Sequence, residues 1–138
     1  MEEEVQHITS ETSTDKRHLR RIALLQALYT TNFPGQSLDH LDVDYDPEIL
    51  KGLMEALPEI DGQIATMAPE RPVTDIAKID LNILRLIIYE QMTKKTPVKV
   101  LIDEGVELAK EFGGEQSFAF VNAILEKILL ADKKEKED

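Results

Sequence analysis

Residues 83–90 read ILRLIIYE, residues 98–114 read VKVLIDEGVELAKEFGG, and residues 117–125 read SFAFVNAIL. Apolar positions recur through all three at intervals of three and four, the period of a helix with one buried face. The stretch therefore predicts three consecutive helices with short connections. The first runs from about Thr74 or Asp75 to Met92. It is apolar on most sides, at Ile79, Ile83, Leu84, Leu86, Ile87 and Ile88, and a helix with so little polar surface belongs at the centre of a fold. Its polar exception is the strip Asn82, Arg85 and Tyr89. The second helix, from Pro97 to Phe112, buries Val98, Leu101, Ile102, Gly105, Val106 and Ala109, and Gly113 with Gly114 can close it in the left-handed conformation. Ser117 caps the third, whose inner face is Phe118, Val121, Leu125 and Ile128 or Leu129.

Upstream, the chain alternates between punctuation and periodic runs. Ser13 or Thr14 can cap a helix reaching about Thr31, since a hydroxyl there accepts from an unpaired first-turn N–H. Leu19, Ile22, Gln26 and Tyr29 form one face of it, predicted to be the core face. Arg17 and Arg21 lie on the opposite side with Arg20 beside them, and Leu24 and Leu28 follow further along. Asn32, Pro34 and Gly35 end that helix, and residues 36–46 form an acidic loop. Asp46-Pro47-Glu48 is a helix start, with proline where its missing N–H costs nothing. Ile49, Leu50, Leu53, Met54 and Leu57 face inward, Pro58 kinks or restarts the helix, and Ile60, Ile64 and Met67 continue the stripe. Residues 1–13 read as a disordered acidic arm, residues 14–131 as one helical domain, and residues 132–138 as a charged tail. The predicted class is all-α, with about six to seven helices.

With 138 residues, the chain is long enough for one self-sufficient core. The absence of cysteine excludes disulfides, thiolate zinc sites and thiol nucleophiles. The opening MEEEVQHITSETSTD lacks the basic start and apolar run of a secretory signal, and no run is long enough to span a membrane; a cytoplasmic protein is expected. The formal net charge is −11, which opposes tight autonomous binding to a polyanion. Residues 39–61 carry eight acids against Lys51 alone. Yet residues 16–21 read KRHLRR, a sharply basic spot between acidic blocks.

Four cations within six residues repel one another. Phosphates would relieve that repulsion while releasing counterions; pairing to Asp15 or to the acidic arm would relieve it too, and the residues alone leave both readings open. Tyr29 could stack on an unpaired base, although its periodicity assigns it to packing. DVDYDPE at 42–48 imitates a calcium loop but has Pro47 and Leu53 where such a loop requires glycine and a bidentate glutamate. His7, His18 and His40 lack metal-ligand spacing. Asp103 and Glu104 sit where carboxylates favour the positive end of a helix dipole. No nucleophile triad, nucleotide loop, cofactor motif or metal site is visible, so no catalysis is expected.

The order of these words resembles the NusB family of transcription antitermination factors. The resemblance rests on Leu84, Arg85, Tyr89 and Glu90, then Pro97, then Ile102 to Lys110, Phe112 and Gly113, and finally Phe120, Val121, Asn122 and Leu125. Arg17, Arg21, Ala23, Ala27, Leu28 and Tyr29 fit the family's arginine-rich first helix. Asp103, Ala123, the interruption at Leu19 and the long acidic arm depart from its pattern. The resemblance implies two three-helix bundles packed together and an RNA surface containing Lys16, Arg17, Arg20, Arg21 and Tyr29. It also implies a single-stranded boxA-like leader RNA, and a small-subunit ribosomal protein, NusE, as partner facing Arg85, Tyr89 and Glu90. The setting would be the RNA polymerase antitermination complex in ribosomal RNA synthesis. Two competing classes are a helical interaction module or homodimer that hides its basic turn, and the RNA-binding front domain of an rRNA methyltransferase.

Overall fold

The computed structural model describes the backbone of residues 2–137 and the side chains of residues 16–131. Its helices are α1 (Glu2–Thr30), α2 (Pro47–Glu55), α3 (Leu57–Met67), α4 (Lys78–Thr93), α5 (Val98–Phe112) and α6 (Ser117–Glu137), with 3-10 turns at Leu38–His40 and Val73–Asp75. No strand occurs among the described residues. The trace of α1 extends to Glu2 instead of starting at Ser13 or Thr14. Nothing in MEEEVQHITSETSTD is a proline or glycine that would stop a helix, and its acids suit an N-terminal end. The expected arm, its caps and the charged tail lie outside the described side chains.

The α4 helix is central, as its composition demands. Residues 81–88 are all buried, and α4 packs against α1, α2, α3, α5 and α6. Helices α1–α3 lie to one side of it in sequence order, and α4–α6 pack mutually, so two three-helix groups share one continuous core. Ile83, Leu84, Ile87 and Ile88 from α4 meet Leu25 and Leu28 of α1, Ile60 and Ile64 of α3, Leu101 and Leu108 of α5, and Val121 and Leu125 of α6 in that core. Burying one such side chain contributes roughly 1.5–3 kcal/mol.

The polar residues on α4 are struts. Arg85 donates from Nε and Nη2 to the two carboxylate oxygens of Asp61 on α3, at 2.9 and 2.8 Å, and from Nη1 to Asn82 Oδ1 at 3.1 Å. Asn82 donates to Asn32 Oδ1 at 2.6 Å, just past the end of α1, and to the Lys78 carbonyl at 2.9 Å. Asn82 and Arg85 thereby meet the partners that an apolar surrounding requires, whereas Oδ1 of buried Asp80, at the start of α4, has none among the described residues.

Several local expectations differ from the structure. The α4 helix begins at Lys78, because Val73–Asp75 closes its own 3-10 turn and Ile76 and Ala77 are extended. Pro58 does restart the helix as expected, since α2 and α3 separate at Ala56 and Pro58 sits in the first turn of α3, where it lacks nothing. Gly113 is extended, not left-handed. Its missing side chain matters for space instead, since a Cβ there would collide with Ser117. Ser117 in turn accepts from the Gly114 N–H at 2.9 Å, which tightens the α5–α6 connection. Phe118 is exposed beneath the Lys110 ammonium, with Val121, Leu125, Ile128 and Leu129 as the inner face of α6.

The most consequential difference is the rotation of α1. Its core face is Arg21, Leu25 and Leu28, at i, i+4 and i+7, with Leu25 and Leu28 fully buried. Leu19, expected inside, is 60% exposed, and Ile22, Gln26 and Tyr29 are only half-buried. The helix is thus turned by roughly a third of a revolution from the predicted phase. Arg21 is accepted on the inner face because acidic partners await it there.

Candidate nucleic-acid interface

The basic stretch at 16–21 divides into two sets once α1 is docked. Lys16, Arg17 and Arg20 are exposed, with no ion pair to another described residue. At about 100° per residue, they span roughly a quarter to a third of the helix circumference. His18 and Arg21 instead reach carboxylates on neighbouring helices. Arg21 donates from Nε and Nη2 to Glu90 at 2.8 and 2.7 Å, a two-pronged pair joining α1 to α4, and its Nη1 lies 3.7 Å from Glu104 on α5. The side chains of Arg21 and Glu90 are only 12% and 9% exposed. The hydrogen bond to Glu90 raises the already high pKa of Arg21 against the opposing effect of burial. Burial favours the neutral form of Glu90, but bonds from Arg21 and Thr96 outweigh it and hold the carboxyl below its ordinary 4.5. Thr96 Oγ1 donates to Glu90 Oε2 at 2.8 Å.

His18 completes this acidic seat. Its Nδ1 meets Glu104, and its Nε2 lies 2.9 Å from Glu111, one carboxylate per ring nitrogen. Both nitrogens can donate only in the imidazolium. Burial lowers the pKa of His18, yet the two glutamates overcome it and leave the value raised above 6.5. The middle of α1 is therefore pinned to α4 and α5 by one imidazolium and one guanidinium.

Placement also separates the other expected residues. Tyr29 is half-buried and packs against Phe33, ring centroids 5.0 Å apart. By helix angle it lies about half a turn from Arg20 and roughly 14 Å further along the axis, so the fold does not bring it together with the exposed cations. Arg85 and Glu90 are buried in the pairs described above. Tyr89 keeps partial exposure, its hydroxyl lying over Gly52 of α2, where a Cβ would collide with it.

Beside the cations lies a feature that α1's expected rotation hid. Leu19, Ile22, Ala23 and Gln26 form one wall of a shallow groove, and Val43 with Asp44 forms the other; Lys16 and Arg20 stand at its rim. The second wall is held in place by alternation. Leu41, Val43 and Tyr45 are half-buried while Asp42 and Asp44 are exposed, with Leu41 and Tyr45 packed on the core. Asp46 anchors the end by accepting from the Glu48 N–H at 2.9 Å. Exposed apolar Leu19 inside a basic run was the available sequence signal.

Comparison with known proteins bears on this geometry. The family model described as "NusB family" matches residues 5–130. The transcription antitermination protein NusB of Shewanella sediminis (strain HAW-EB3) is 38% identical over 130 residues, covering 84% of this chain and 96% of that protein. A solved structure of T. maritima NusB superposes with a TM-score of 0.71 at 32% identity, covering 81% of this chain and 89% of that one. A chain in a structure titled as a plectonemic RNA supercoil shares the fold, with a TM-score of 0.71 at 20% identity over 83% of this chain and 94% of that one. Among the described residues, no helix is long and apolar enough to cross a membrane. With the six-helix fold, the ordered sequence words and the family model agreeing over most of its length, the chain belongs to the NusB family.

Proposed function

We propose that this protein is an RNA-binding transcription antitermination factor of the cytoplasm. It acts with NusE on boxA-type single-stranded leader RNA during ribosomal RNA transcription, within the RNA polymerase antitermination complex. The observation that supports this most is the selective exposure within residues 16–21. Arg21 and His18 are consumed by carboxylates, whereas Lys16, Arg17 and Arg20 are exposed and have no carboxylate partner among the described residues. Those three are the phosphate contacts in this reading, and Arg21 fixes the helix that displays them. Tyr29, set apart around the helix, contributes to RNA only if the strand wraps α1. On the partner side, Tyr89 supplies the contact, while Arg85 and Glu90 hold α4 in register behind it.

A net charge of −11 makes the isolated protein a weak ligand for RNA, and a basic partner docked nearby raises the local attraction. The test is a binding titration of boxA-like RNA against salt, with and without NusE. Replacing Lys16, Arg17 and Arg20 by alanine should cut the slope of log affinity against log salt by about two units, at roughly 0.7 per phosphate contact on single strands. Affinity and slope both unaltered in that variant would sink the assignment, and stable dimers that never shift RNA in either condition would favour the homodimeric interaction module.

A further inference from the structure

Leu19 is the least explained residue of the basic turn. It is 60% exposed, makes no contribution to the core, and forms an apolar ledge with Ile22 and Ala23 against Val43. An aliphatic cleft of this kind has two ordinary occupants, a side chain of a partner protein or the face of an unstacked base. Its rim favours the second. Lys16 and Arg20 lie one helical turn apart at the edge of the cleft and have no carboxylate partner among the described residues. Cations in that position hold the phosphates on either side of a base whose ring lies on the ledge, and an arginine plane adds a stacking surface.

The polar groups in the cleft then select among bases. Asp44 is exposed opposite the ledge, and an ionised carboxylate accepts hydrogen bonds and cannot donate them. Cytosine, adenine and guanine each offer an exocyclic amino group, whereas uracil's base-edge donor is a single N3–H flanked by two carbonyl oxygens that repel a carboxylate. Gln26, at the far end of the ledge, carries both a donor and an acceptor and discriminates less. We infer that the groove between α1 and residues 43–44 is a seat for one unpaired nucleobase, and that Asp44 makes this seat favour amino-bearing bases over uracil. The inference rests on the RNA-binding reading above and adds to it a base-contacting subsite and its preference.

The experiment measures the affinity of the full chain for short fluorescent oligocytidylate and oligouridylate RNAs at low and moderate salt, with helicity of every variant checked by circular dichroism. Wild type should prefer the cytidine strand by about tenfold, within the range that one well-placed polar contact to a base edge supplies. In Asp44→Ala the preference should fall toward unity, even though losing a negative charge strengthens binding to both strands. In Leu19→Ser both affinities should drop by up to about tenfold, the scale of the apolar burial that one partly covered leucine supplies, with the salt slope unaltered. Lys16→Ala with Arg20→Ala should lower the slope and leave the preference intact.

A wild type that binds neither RNA at low salt overturns the RNA-binding reading itself. Salt-sensitive binding with equal affinity for the two strands, or an affinity indifferent to Leu19→Ser, overturns the base seat alone. Loss of NusE binding in Leu19→Ser with RNA affinity untouched overturns it in favour of a protein side chain as occupant.

Discussion

Arginine 21 belongs to the sequence's basic run but to the structure's interior, and the two assignments predict opposite results for one substitution. If Arg21 were a phosphate contact in solvent, Arg21→Ala would leave stability within about 0.5 kcal/mol of wild type, as surface changes do. In the fold it neutralises Glu90 through bonds of 2.8 and 2.7 Å, with both side chains nearly enclosed. Removing one partner of such a pair leaves an uncompensated buried charge and costs about 3–5 kcal/mol. For a domain of this size each kcal/mol shifts Tm by roughly 3–5 °C, so Arg21→Ala should melt on the order of 10 °C or more below wild type. Arg21→Met combined with Glu90→Met removes both charges and should regain most of the loss, because a buried ion pair replaced by apolar groups is often neutral. Arg17→Ala is the exposed control and should melt with wild type. Denaturant or thermal unfolding followed by circular dichroism reads all four proteins. An Arg21→Ala variant as stable as Arg17→Ala, or a double variant no better than the single, would refute the strut.

The same seat makes stability depend on pH at two ends. Glu90 is held below its ordinary 4.5, so its contribution is fully present above that value and is lost as acid titrates it through the lower folded pKa; Glu90→Gln should flatten unfolding stability across that acidic window. His18 is raised above 6.5, so its contribution is full below 6.5 and fades as pH climbs through the folded value. His18→Gln should remove that dependence, seen as a Tm difference from wild type of up to about 1 kcal/mol in equivalent stability at pH 6, shrinking toward pH 9. Gly105 is buried on α5, and a Cβ there would collide with the tip of Leu125 while only touching Ile87 and Val121. Gly105→Ala should cost about 1–3 kcal/mol by overpacking, whereas Gly62→Ala, with open space around it, should stabilise α3 by a few tenths to about 1 kcal/mol.

The core was legible where apolar density left a helix no choice. Residues 81–88 are buried whatever the helix rotation, so the centrality of α4 followed from composition alone. Rotation was not legible for α1, because its two candidate faces are nearly balanced: Leu19, Ile22 and Tyr29 on one, Leu24, Leu25 and Leu28 on the other. What decided between them was Glu90, Glu104 and Glu111, dozens of residues away in sequence. Periodicity counts side chains along one helix and is blind to an acid waiting on another. The polar strip on α4 was visible for the same reason that it was hard to interpret. Arg85 and Glu90 stand out against an apolar helix whether they face a partner or a strut, and only Asp61 and Arg21 beside them distinguish the two cases.

The division of the basic run bears on how an acidic protein can hold a polyanion at all. Exposed cations one turn apart on a helix face, as Lys16 and Arg20 are, repel one another, and the segment that carries them needs an anchor to hold it in place. Here Arg21 and His18 tie that segment to α4 and α5, and the carboxylates that receive them form no ion pair with Lys16, Arg17 or Arg20. His18 and Arg21 take up the carboxylates that lock the helix, so those carboxylates do not pair with the residues it displays. The order of the locks follows from burial: the Arg21–Glu90 pair is nearly enclosed, while the His18 ring is 24% exposed. Losing the histidine contact should loosen α1 only around residues 16–19, and losing the arginine contact should release α1 from α4. Amide hydrogen exchange separates the two, since His18→Gln should speed exchange only near residues 16–19, and Arg21→Ala should speed it through Leu25 and Leu28 as well. Equal acceleration along α1 in both variants would mean that the helix docks as one unit, with no hierarchy between its two anchors.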